Sequence, residues 1–279
     1  MMKVFGLANL LMLVLILSTC QQEKKASTVT DGEQLERRVD IFAEIELNEV
    51  FSTYNLEKLK TVEVQFRPAM KKPVKYEGVP FLDILEGIYG KGVLDSLKTG
   101  HAIELICKDG YYPQMLLSDV WKYSGYLVDR MAGEPDKWPA ISRQKYAPFY
   151  LVWEGEKNDR NVPWPYGLTS VRLVSLEKQK ECLLPDAGKT AEDGFYLFKK
   201  YCMKCHSING KGGVMGPELN YPKNILAYWQ EDQLSAFVKS PQSFRYNHQM
   251  KPVKRITETE MESIIDYFKY IETHSQLCD

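Results

Sequence analysis

The chain has 279 residues, enough for one large or two ordinary domains, each with a core of its own. With 36 Lys+Arg against 37 Asp+Glu it lacks the positive excess that grips nucleic-acid phosphates, so no nucleic-acid partner is expected. An aromatic share of 12% excludes wholesale disorder, and 6 cysteines are too few for a disulfide scaffold of this size.

Residues 1–19 read as an export signal. Lys3 supplies a small positive start, and Val4 to Leu17 form an apolar run broken only by Gly6 and Asn9. The run is about 14 residues, short of the roughly 20 that a membrane-spanning helix needs. Leu17-Ser18-Thr19-Cys20 follows, and small residues ahead of a cysteine resemble a bacterial lipoprotein cleavage site. Cys20 would then carry lipid and anchor the protein to a membrane on the periplasmic side of the envelope. Residues 20–38, polar after the cysteine and free of aromatics, are the expected tether.

Residues 39–180 read as a mixed α+β domain with mostly antiparallel strands. Val62-Glu63-Val64-Gln65-Phe66 alternates as a half-buried strand does. Ala102 to Cys107 forms another strand, stopped by Asp109-Gly110; Tyr150 to Trp153 and Val171 to Val174 form two more. Helical spacing runs through Phe81, Leu82, Leu85 and Ile88, and Leu117 to Tyr123 forms a short helix. A polar bridge from Glu177 to Lys189 leads to a second unit, 188–275, expected to be all-α. Thr190 can cap its first helix; Thr257-Glu258-Thr259-Glu260 is a capping box for the last. That last helix carries Met261, Ile264, Ile265, Phe268 and Ile271 on one face.

Cys202-Met203-Lys204-Cys205-His206 is the strongest signal in the chain. Two cysteines separated by two residues, with histidine next, form the attachment pattern for c-type haem. On one helical turn the spacing points two sulfurs at the two vinyl groups of a porphyrin edge while the imidazole reaches iron. Two other readings of the pattern compete. A thioredoxin-like pair belongs beside a βαβ unit, which is not evident here, and a zinc knuckle needs a second ligand pair, for which 207–279 offers His248, His274 and Cys278.

Residues 190–272 resemble a class I cytochrome c. Gly194 and Phe198 occupy the Gly and aromatic positions of that family's first helix, and Gly194 would let the last helix cross under Tyr267. Gly216-Pro217-Glu218-Leu219 resembles the loop whose proline carbonyl accepts a hydrogen bond from the axial histidine. Gln233 to Pro241 looks like the middle helix, and Met250-Lys251-Pro252 falls where the axial methionine lies. The resemblance implies one covalent haem c on Cys202 and Cys205, with His206 and Met250 as axial ligands. Met215 and His248 are the weaker candidates for the sixth position, and His274 is expected in solvent. Filled axial sites imply electron transfer, with transient docking to redox partner proteins.

Residues from about 60 to 176 resemble the molybdopterin-binding domain of the sulfite oxidase family. The resemblance rests on Tyr76-Glu77-Gly78-Val79-Pro80-Phe81-Leu82-Asp83-Ile84-Leu85, Asp109-Gly110-Tyr111, Leu116 to Asp119, Ala147 to Val152 and Val171-Arg172-Leu173. That family ligates its metal with an early cysteine, and no cysteine stands between Cys20 and Cys107 here. The expected domain is therefore a scaffold without molybdopterin, with Cys107 filling a core and Lys71, Lys72, Lys75 and His101 on the surface. Trp138, Trp153, Trp164 and Tyr166 are either core or a binding surface. Cys182 and Cys278 are left as a conceivable disulfide. The leading expectation is an anchored electron carrier; the alternatives are a molybdenum enzyme feeding a fused haem and a haem-bearing sensor.

Overall fold

The computed structural model describes residues 40–53, 59–64, 73–134, 136–138, 140–155, 162–185 and 188–278, all within one compact unit. The export signal, Cys20 and the tether lie outside the described residues, as do Lys71, Lys72 and the far end of the strand expected to reach Phe66. Among the described residues no helix is long and apolar enough to cross a membrane.

The first region runs β1 (Ile45–Glu46), α1 (Leu47–Thr53), β2 (Lys60–Val64), β3 (Val74–Pro80), α2 (Phe81–Tyr89), α3 (Lys91–Leu97), β4 (His101–Cys107) and β5 (Gln114–Leu116). It continues through α4 (Leu117–Lys122), β6 (Gly125–Met131), α5 (Ala140–Tyr146), β7 (Phe149–Trp153) and β8 (Tyr166–Ser175). The strands form one sheet in the order β2-β3-β6-β7-β8-β4-β5, with β1 also on β8, and every pairing is antiparallel. All four strands expected from the sequence are present.

Both faces of the central strands are covered. On β7, Phe149, Leu151 and Trp153 join the larger core with α1, α2 and α4, while Tyr150 and Val152 join a smaller one with Val62, Val64, Tyr76, Val128 and Trp138. A strand buried on both sides has no polar phase, so it reads as a continuous apolar run. Trp138 and Trp153 are fully buried and Trp164 partly so; the tryptophans are core, not an exposed binding surface. Cys107 is buried in the larger core, as expected. Lys75 is exposed beside Glu63.

The segment expected to be a bridge is instead a helix, α6 (Leu176–Leu183). Glu177-Lys178-Gln179-Lys180-Glu181 looks like a linker by polarity, yet these are good helix formers, and the Ser175 hydroxyl caps them by accepting from Lys178 N at 3.3 Å. Its apolar end, Leu183 and Leu184, enters the core of the second region.

That second region comprises α7 (Lys189–Tyr201), β9 (Ser207–Ile208), β10 (Lys211–Gly212), α8 (Glu231–Lys239) and α9 (Glu258–Glu272). The region is helical, as expected, with one addition: the 2-residue strands β9 and β10 pair through Asn209-Gly210, both at positive φ. Thr190 is not the cap of α7; the helix starts one residue earlier, behind Gly188. The capping box on α9 is present: Thr257 Oγ1 accepts from Glu260 N at 3.1 Å, and Thr257 N donates back to the Glu260 carboxylate at 3.0 Å. All five residues of the expected apolar face are buried, together with Tyr267, each contributing about 1.5–3 kcal/mol where the side chain is large and aliphatic or aromatic.

Candidate functional site

The cysteine motif continues the winding of α7. Cys202 N and Met203 N both donate to Phe198 O, and Cys205 N and His206 N both donate to Cys202 O at 3.0 Å. One turn therefore carries both sulfurs and starts the imidazole. Cys202 and Cys205 are free thiols, not bonded to each other. Burial pushes Cys202 up to about 12 and Cys205 upward as well, against the pull of Lys204. A thioredoxin-like pair works through a thiolate of depressed pKa, the opposite environment. Among the described residues no three of His, Cys, Asp and Glu gather as a metal site, so the zinc reading finds no ligand set.

His206 is held from the side away from any ligand. Its Nδ1 lies 2.9 Å from the Pro217 carbonyl oxygen, so Nδ1 carries the proton and Nε2 keeps its lone pair. Burial holds the ring below the ordinary imidazole range, only partly opposed by Pro217 and Glu218. Gly216 lies flat against the ring: a Cβ there would fall on Cε1, Nδ1 and Nε2 of His206. The glycine is a plate against which the imidazole leans.

The loop behind that plate is fastened at many points. The Glu218 carboxylate accepts from Asn209 N at 2.8 Å, Asn220 N at 3.0 Å, Gly210 N at 3.1 Å and Tyr221 N at 3.2 Å. Burial raises its pKa, but these bonds and one from Ser207 outweigh burial and leave Glu218 below the usual carboxylate range. Buried Asn220 and Asn224 donate to Ile271 O and Phe268 O, and Asn209 donates to His274 O, which ties the loop to the end of α9. Asn209, Asn220 and Asn224, and the fastening role of Glu218, are not evident from the sequence motifs. The Asn209-Gly210 dipeptide was the available signal, since it marks a tight hairpin.

Met250 is partly buried against the helical core. Its segment is pinned by Val253 N donating to Val238 O at 3.0 Å and by Met250 N donating to His248 Nδ1 at 3.0 Å. His248 packs edge-on against Phe237 at 4.9 Å, with Nδ1 engaged by Met250. Met215 is 46% exposed on the loop after the motif. His274, expected in solvent, is instead partly buried, its ring tilted against Tyr270 with centroids 5.0 Å apart. Cys182 and Cys278 form a disulfide, with Cα atoms 6.0 Å apart.

The residues fit a covalently held haem. Two free thiols one turn apart would hold it, an imidazole presenting Nε2 would face its iron, and partly buried Leu226, Trp229, Met250 and Val253 beside the helical core would give apolar walls.

Residues 191–272 match the cytochrome c family model. The chain is also 23% identical over 164 residues to cytochrome c oxidase subunit 2 of Alkalihalophilus pseudofirmus, covering 53% of this chain and 48% of that protein. The chain thus spans about half the length of the curated relative it matches. Residues 191–272 are a cytochrome c domain, and this supports haem as the cofactor and electron carriage as the work of this part of the chain.

Proposed function

We propose that this protein is a lipid-anchored c-type cytochrome of the bacterial envelope. It passes single electrons between redox proteins through one haem attached at Cys202 and Cys205, with His206 and Met250 as axial ligands. The observation that carries the reading is His206, bound through Nδ1 to Pro217 and placed directly after two free thiols one turn apart.

Bound there, haem supplies reversible one-electron chemistry at iron. The chain's own residues hold and exclude. Pro217 and Gly216 fix the imidazole and keep its proton on Nδ1. The apolar residues around α7, α8 and α9 keep water out, which limits reorganisation between oxidation states. A relative named as an oxidase subunit supports an electron-transfer setting. The sheet region is read as a sulfite oxidase-type scaffold without the early metal-ligand cysteine, and Cys20 as the lipid-bearing residue.

The test is expression in a host with haem-attachment machinery. The wild-type chain should keep its colour after extraction with acidified acetone and should contain iron but no molybdenum. Cys202→Ser with Cys205→Ser should release all colour, and Cys20→Ser should free the protein from membranes. Haem retained on the denatured double variant would defeat the attachment reading; molybdenum in the wild-type protein would defeat the carrier reading.

A further inference from the structure

The turn between β4 and β5 of the sheet region closes onto the haem-attachment segment. After Cys107 the chain reverses, with Gly110 N donating to Cys107 O at 2.9 Å and Cys107 N to Tyr111 O at 3.2 Å. Three main-chain bonds then cross to the cytochrome domain. Tyr112 N donates to Lys204 O at 2.8 Å, and Gly110 O accepts from both Val214 N at 2.9 Å and Met215 N at 3.0 Å. The same turn therefore grips the attachment segment and the loop that returns past it.

Gly110 is required there for two separate reasons. Its φ is +85°, which costs an L side chain about 1–2 kcal/mol. A Cβ would also stand 2.6 Å from Met215 N and 2.8 Å from Val214 C. Gly100 has nearly the same backbone, φ +77°, but nothing within 4 Å of such a Cβ.

The grip leads to the imidazole in few steps. Met215 is followed at once by Gly216, the plate under the His206 ring, and Gly216 N donates to Cys205 O at 2.7 Å. Gly213 N donates to Met203 O at 2.8 Å inside the same loop. Displacing Val214 and Met215 would tilt the plate and loosen the Pro217 carbonyl that sets the basicity of His206.

We propose that the Asp109–Tyr112 turn is a brace that the sheet region sets against the haem-attachment segment and the loop returning past it, and that Gly110 is a positioning residue for His206. The sheet region then acts on electron transfer by fixing the proximal loop, beyond any role as a docking module. The inference rests on the haem placement proposed above.

The test uses the full-length holoprotein as wild type, Gly110→Ala and Gly100→Ala. Amide hydrogen exchange at Val214 and Met215 is measured with and without haem, together with covalent haem content and midpoint potential. Gly110→Ala should keep covalent haem, speed exchange at both amides about tenfold and shift the potential. Gly100→Ala should match the wild type in every readout. Wild-type potential and exchange in Gly110→Ala would overturn the proposal. So would unprotected Val214 and Met215 amides in the wild-type protein, a measurement that serves even if the variant does not fold. A wild-type chain without covalent haem would instead overturn the haem placement, while the exchange data would still report the contact.

Discussion

Gly194 of α7 lies so close to Tyr267 of α9 that a Cβ on the glycine would sit 2.7 Å from the tyrosine's own Cβ, and closer still to Ser263 O. The two longest helices of the cytochrome domain cross at this point. Tyr267 uses the closeness to donate from its hydroxyl to Leu183 O at 3.0 Å, which fastens α6 to α9. Gly194→Ala should therefore push the helices apart although alanine is the better helix former, at a cost of about 1–3 kcal/mol from overpacking. A denaturation midpoint lower than that of the wild type checks it. A variant as stable as the wild type would show that the crossing relaxes freely.

That crossing was legible in advance through the resemblance to class I cytochromes c, which places Gly194 where the last helix passes. The α9 capping box and apolar face were legible for a different cause: local spacing carries the whole instruction. α6 was not, since a short helix of charged residues looks like a linker until Leu183 is seen entering a core. β6 escaped notice because Leu127 and Val128 face opposite cores and leave no alternation to detect. The motif residues Cys202, Cys205 and His206 announce themselves by chemistry. Their supports are legible only as turns: Asn209-Gly210 and Asp109-Gly110 mark where the chain reverses, but that Glu218 accepts the hairpin's backbone donors, and that Gly110 meets Val214 and Met215, depends on segments separated in sequence.

Glu218 makes a pH prediction. Its carboxyl is held below the usual range in the folded chain because the charged form accepts several N–H donors. A group depressed in this way stabilises fully above its unfolded pKa, about 4.3, and that contribution disappears as pH falls through the lower folded value. Acid unfolding of the wild type should therefore steepen below about pH 4.3. Glu218→Gln should be less stable at pH 7 and lose less on acidification. Parallel acid titrations of the two proteins that kept a constant stability difference down to low pH would rule out this role.

Met250 separates an electron carrier from a gas-binding or catalytic haem. Its side chain is partly buried against the helical core, and the segment is pinned by Val238, by His248 and by Gln242, whose Nε2 donates to Met250 O at 3.4 Å. A segment fastened on three sides can present a thioether without reorganising, which is what fast electron exchange requires. Met215 differs: its backbone is fixed by Gly110, but its side chain is half exposed. Thioether ligation favours ferrous iron and raises the potential. Met250→Ala should therefore lose the sulfur-to-iron charge-transfer band, have a lower midpoint potential and bind carbon monoxide when reduced. Met215→Ala should retain the band and stay closed to carbon monoxide. Loss of the band in Met215→Ala with its retention in Met250→Ala would transfer the axial role to Met215. Ready carbon monoxide binding by the wild-type protein would remove both methionines from the iron, and with them the main support for an electron carrier.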